Sequence, residues 1–168
     1  MITALAAYLG DAPVAFGLLV AALTAFMVVG VRLSVIDRRT HRLPNGIVLP
    51  SYPAAALLLS AAGGSAGEWH RVLGMLGGAA VLWLAFGALH LLYRQGLGFG
   101  DVKLAGLLGL YLGFAGWAAV WWGPFLALLL GGAWSLVLVV TRRATLRSTV
   151  AFGPFLVAGT ALALAVLP

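Results

Sequence analysis

The 168-residue chain has no cysteine. That excludes disulfides, thiolate catalysis and cysteine-based metal sites. Acids are nearly absent too: Asp11, Asp37, Glu68 and Asp101 are the full set, and Lys103 is the sole lysine. Charged residues make up 8% of the chain and hydrophobic ones 63%. A soluble domain carries roughly a quarter charged residues and about half apolar ones. No soluble fold of this length could bury that much apolar surface, so lipid must solvate much of it. His41, His70 and His90 are scattered, with no HExxH and no carboxylate at ligand spacing. Structural or interfacial roles suit them better than metal binding, and no metal or other cofactor is expected.

Apolar stretches fill the rest. Six can be marked, at Val14–Leu33, Gly46–Ala62, Val72–Tyr93, Val102–Ala118, Ala119–Val140 and Val150–Leu167. At about 20 residues per spanning helix, the length accommodates six spans and little else. The expectation is an all-α polytopic bundle of about six transmembrane helices, forming one membrane-embedded domain over residues 1–168. The fourth break is the least marked, because Leu104 to Val140 carries no charge. Only length and the Gly113–Gly116 cluster argue for a turn there. Gly74/Gly78 and Gly109/Gly113 have the small-xxx-small spacing that lets helices approach closely in lipid. Trp69, Trp117, Trp121 and Trp122 suit an outer interfacial belt.

The net charge is +6. In a soluble protein this would suggest nucleic-acid binding, but the basic residues sit in short loops between apolar runs, without interleaved aromatics. Membrane lipid headgroups are the expected partners, and nucleic acid is not. Arg32, Arg38, Arg39 and Arg42 follow the first run. Arg94 and Lys103 lie between the third and fourth, and Arg142, Arg143 and Arg147 between the fifth and sixth. The positive-inside rule then places these loops in the cytoplasm and both termini outside. No basic residue precedes Arg32, so the first run reads as a retained span rather than a signal peptide. Asp11 and Glu68 fall in outer loops, where water would solvate them.

The chemistry rests on Asp37 and Asp101, expected in two cytoplasmic loops at the membrane boundary. Two nearby carboxylates do not both ionise easily and so share a proton. One can then take a proton from water while the other polarises a scissile carbonyl, the minimum for aspartic peptidase chemistry. Plainer readings stand beside this. Asp37 could pair with Arg38, Arg39 or Arg42 among headgroups, and Asp101 could be a helix N-cap. Intramembrane acids also mark ion paths, so a small transporter and a non-catalytic assembly subunit remain alternatives. Gly96, Gly98 and Gly100 alternate just before Asp101. Glycine lets another backbone come close, which suits an extended substrate. A phosphate cradle is excluded, because the spacing is GxGxG and no Walker lysine follows.

Asp37-x6-Pro44-Asn45, together with Gly98-Phe-Gly100-Asp101-Val-Lys103-Leu, resembles the type IV prepilin peptidases of the GxGD class. Gly153-Pro154-Phe155 is similar to that family's C-terminal region. The resemblance implies an aspartic endopeptidase that removes leader peptides from type IV pilin-like precursors at the cytoplasmic face of a bacterial inner membrane. It implies catalytic roles for Asp37 and Asp101, with Gly98 and Gly100 as the motif glycines and Pro44, Asn45 and Lys103 as supporting residues. Lys103 reads equally well as a charge beside Asp101 and as a snorkelling interfacial lysine. Asn45 stands where many relatives carry Asp. The long form's N-terminal region with paired Cys-x-x-C motifs is missing, so methyltransferase activity is not expected.

Overall fold

The computed structural model describes residues 1–40, 42–93, 97–142 and 151–167, with Ile2 and Thr3 described by backbone alone. His41, Arg94, Gly96, Arg143 and Arg147 lie outside the described residues.

Seven α-helices occupy the described residues: α1 Ile2–Asp11, α2 Pro13–Thr40, α3 Asn45–Ser65, α4 Trp69–Leu92, α5 Phe99–Ala115, α6 Trp117–Val140 and α7 Gly153–Val166. Four of them, α2, α3, α4 and α6, are long and apolar enough to cross a membrane. The helices α2 to α7 correspond to the six apolar stretches, and α1 is an additional short helix. The uncharged run from Leu104 to Val140 divides at Gly116, which takes φ +135°. That backbone is closed to most L-residues, so glycine allows the turn that length alone suggested.

Helix α2 departs from the expected span. It runs 28 residues, about 42 Å at ~1.5 Å per residue, well beyond a hydrocarbon core of about 30 Å. It ends at Thr40, shortly before Pro44, which disfavours a helical conformation at Leu43. Arg38 and Arg39 occupy its last turn, where cations complement the helix dipole. Asp37 therefore sits on a helix, not in a loop.

Helix α5 is the centre of the bundle. Every residue from Leu104 to Phe114 is buried, the pattern of a helix surrounded by others. Helix α6 is its opposite, with Trp117, Trp121, Trp122, Leu128, Leu129 and Leu136 exposed on the bundle's outer face. The antiparallel pair α4 and α5 meets backbone to backbone. A Cβ on Gly78 would lie 2.6 Å from the Gly109 carbonyl, and one on Gly74 would lie 2.7 Å from the Gly113 carbonyl. The two small-xxx-small pairs thus face each other.

Among the described residues, the hydrogen bonds from side chain to side chain gather at the two ends of the bundle. At one end, the Tyr8 hydroxyl donates to Glu68, Arg71 Nε donates to Glu68 Oε2 at 2.6 Å, and Arg71 Nη1 reaches the Phe114 carbonyl at 3.4 Å. Glu68 is therefore not left to water. It ties α1 to the start of α4. Burial pushes its carboxyl up, but the Tyr8 hydroxyl and the Arg71 guanidinium outweigh this and hold it below its usual 4.5. Burial, then the Glu68 carboxylate, push the Tyr8 phenol up to about 12, so it remains a donor. Asp11, by contrast, is exposed.

Candidate active site

The opposite end holds the residues that the sequence singles out. One open cleft is lined by Asp37, Arg42, Leu43, Asn45, Gly98, Phe99, Gly100, Asp101 and Lys103. The last turns of α2, the α2–α3 connection and the first turns of α3 and α5 form it. Acids 64 positions apart in sequence thus share one concavity, near enough for their charges to interact.

Asp37 is 6% exposed. Its Oδ2 accepts the backbone N–H of Gly153 at 3.0 Å. It is held within the bundle, against the start of α7, rather than spread among lipid headgroups. Asp101 is not an N-cap. Gly98 caps α5, and Asp101 is the third helical residue, where an acid complements the positive helix end. Its carboxyl turns back toward Gly98, whose Cβ position lies 3.7 Å from Asp101 Oδ2.

The supporting residues divide in role. Pro44 caps α3 with an extended backbone (φ −70°, ψ 126°), and its carbonyl accepts the N–H groups of Ile47 and Val48. It sets the helix start and lies outside the cleft lining. Asn45 lines the cleft and accepts Lys103 Nζ on its Oδ1 at 2.9 Å. The same ammonium sits 4.9 Å from the Phe99 ring centroid, a cation–π distance. Lys103 is thus engaged with α3 rather than left to snorkel. The Lys103 carbonyl accepts the Tyr52 hydroxyl at 2.6 Å, a second tie between α3 and α5. Gly100 presses on Leu43, whose Cβ would lie 3.1 Å from a Cβ at position 100. Gly98 has no such neighbour.

Sequence reasoning alone assigned no active-site role to Leu43, Phe99, Tyr52 or Gly153, and read Arg42 only as a topology charge or a headgroup-level partner of Asp37. A cue existed for Gly153, in the Gly-Pro-Phe at the start of the last apolar run. Its contribution is a main-chain N–H, which carries no residue-type signature. His90, for which the sequence suggests a structural or interfacial role, places its Nδ1 2.6 Å from the Leu97 carbonyl in the α4–α5 connection.

Several known proteins are similar to this chain in sequence. The chain is 34% identical over 136 residues to the prepilin leader peptidase/N-methyltransferase of Escherichia coli strain K12, covering 80% of this chain and 58% of that protein. The protein of the same name from Burkholderia pseudomallei strain 1026b is 35% identical over 156 residues, 92% of this chain and 47% of its own length. That of Aeromonas salmonicida strain A449 is 32% identical over 142 residues, 84% and 47%. The chain spans about half the length of these curated relatives. No solved structure matches it. The profile of the type IV leader peptidase family matches residues 22–140, a segment that includes both aspartates, the glycine motif and Asn45, and the chain belongs to that family.

Proposed function

We propose that this chain is an aspartic endopeptidase of the membrane, acting on type IV prepilin-like precursors with Asp37 and Asp101 as its catalytic pair. The observation that carries this reading is the common cleft: Asp37 and Asp101 line it together with Gly98 and Gly100. The family membership and the relatives' names support the reaction class.

In the proposed chemistry, the pair holds one proton between its two carboxyls. The unprotonated carboxylate takes a proton from water as the oxygen adds to the scissile carbonyl carbon. The protonated partner gives its proton to the carbonyl oxygen. Collapse of the resulting diol breaks the C–N bond, and a proton passes to the leaving amine. No metal or cofactor enters these steps.

The same proposal takes α5 and α7 as spans alongside the four longer helices, giving six crossings in one domain with both termini outside. Support comes from how the charges divide. Arg38, Arg39, Arg42 and Lys103 lie at the Asp37 end of the bundle, and Arg71 at the other. By the positive-inside rule the cleft then opens to the cytoplasm.

Co-expression with a prepilin-like precursor tests the reading by gel shift. Asp37→Asn and Asp101→Asn should each abolish processing while the protein still inserts. Normal processing by either variant would exclude the dyad.

A further inference from the structure

Gly153 opens α7, with Pro154 at the next position. Proline there leaves the early helix geometry pre-set, and the first N–H groups of a helix lack partners within it. The Gly153 N–H finds its partner in Asp37 Oδ2, 3.0 Å away, across 116 residues of sequence. A Cβ at position 153 would lie 2.7 Å from that oxygen, 3.2 Å from Asp37 Cγ and 3.5 Å from Asp37 Cβ. Only glycine leaves room for the carboxylate to sit on the helix end.

The rest of α7 is fixed just as closely. A Cβ on Gly30 of α2 would meet Val157 at 2.8 Å, and one on Gly159 would meet the Gly123 carbonyl of α6 at 2.6 Å. The helix cannot slide without disturbing α2 and α6, so its N-terminus is a rigid support. Asp101, by comparison, is presented by its own helix α5.

We infer that Gly153 is a positioning residue for the peptidase reaction: its main-chain N–H and missing side chain set the Asp37 carboxylate toward Asp101. This rests on the proposed aspartic dyad. A group held through a hydrogen bond to a fixed helix end loses its reactive geometry when displaced, and an ångström-scale shift at a reacting group costs roughly 10- to 100-fold in rate.

The test uses the full chain in proteoliposomes with a prepilin-like precursor, comparing Gly153→Ala with Gly131→Ala. Gly131 faces the same end of α7, but its Cβ would make ordinary 3.5 Å contacts with Phe152 and Phe155. Gly153→Ala should lower kcat roughly 10- to 100-fold with KM within about twofold, and Gly131→Ala should change neither. Thermal unfolding supplies the second readout. Gly153→Ala should lower Tm in the parent but not in an Asp37→Ala background, where the obstructing carboxylate is gone. If Gly153→Ala does not fold in the parent, recovery of the fold in the Asp37→Ala background supports the inference, and failure there overturns it. Unchanged kcat, or an equal Tm loss in both backgrounds, also overturns it. Processing by Asp37→Ala alone would instead sink the dyad reading, an outcome separate from the Tm coupling.

Discussion

Lys103 Nζ donates to Asn45 Oδ1 at 2.9 Å and so joins the first turn of α5 to the first turn of α3 at the rim of the cleft. The ammonium is drawn toward α3 and over Phe99. Lys103 thus lines the same cleft as the two acids, held there by an amide oxygen of α3.

This link yields a first prediction. Asn45→Ala should free Lys103 and lower the processing rate several-fold. The hydrogen bond lies at an exposed rim, so the stability cost should stay below about 1 kcal/mol. Asn45→Asp should retain the link as an ion pair and preserve activity. Rate measurements on both variants, beside thermal unfolding, check this. Equal activity in Asn45→Ala and the parent would mean that Lys103 needs no anchoring.

A second prediction concerns the backbone contact between α4 and α5. A Cβ on Gly109 would lie 2.6 Å from the Gly78 carbonyl and 2.7 Å from Ala79 Cα. Backbone atoms cannot yield as side-chain tips do. Gly109→Ala should force the helices apart and cost about 1–3 kcal/mol, the usual range for overpacking. Gly132→Ala on α6, where nothing lies within 4 Å, should be neutral or slightly stabilising, since alanine is the better helix former. Detergent-solubilised melting curves compare the two.

These two contacts show what the sequence could reveal. The Gly74/Gly78 and Gly109/Gly113 pairs announced themselves by spacing, because close helix approach needs small residues at every fourth position. Asp37, Asp101 and Gly98 were legible because acids and alternating glycines are conspicuous in an apolar chain. The turn at Gly116 was legible only through length. The continuation of α2 to Thr40 was not, since arginines at its end read as a loop although they complement the helix dipole there. The fixing of Asp37 by Gly153 was invisible because the donor is main chain. The role of Glu68 was hidden for a different reason. Its partner Tyr8 lies 60 residues away, on a helix too short for periodicity to mark as a membrane element.

The Glu68 cluster carries the third prediction. Its carboxyl is held below the usual 4.5 in the folded chain. A depressed acid contributes stability that is fully present above its unfolded value and is lost as pH falls through its folded value. The attachment of α1 should therefore hold at neutral pH and loosen on acidification below about 4.5. Hydrogen exchange of α1 amides, corrected for the intrinsic pH dependence of exchange, reads this directly. Glu68→Gln should show reduced α1 protection already at pH 7, with little further change in acid. Full protection of α1 in Glu68→Gln would show that the Tyr8–Glu68–Arg71 contacts do not secure it.

The fourth prediction separates the two glycines of the motif before Asp101. Gly100 is occupied by packing: a Cβ there would press within 3.1 Å of Leu43 Cβ and 3.3 Å of its Cδ1. Gly100→Ala should therefore disturb the start of α5, and Leu43→Ala should recover part of the loss, since it removes Cγ and Cδ1 but keeps the Cβ. Gly98 differs. Its backbone, φ −71° and ψ 146°, suits any L-residue, and its nearest foreign atom, Asp101 Oδ2, lies at an ordinary 3.7 Å. Folding gives no reason to keep glycine at 98, so any requirement there must come from the substrate. If an extended precursor backbone runs over Gly98 beside the acids, Gly98→Ala should fold with an unchanged Tm yet cleave at least about tenfold more slowly, a loss typical of ångström-scale misplacement. Leu43→Ala should not repair it. Paired rate and melting measurements on the three variants decide the matter, and a fully active Gly98→Ala enzyme would place the substrate's path elsewhere in the cleft.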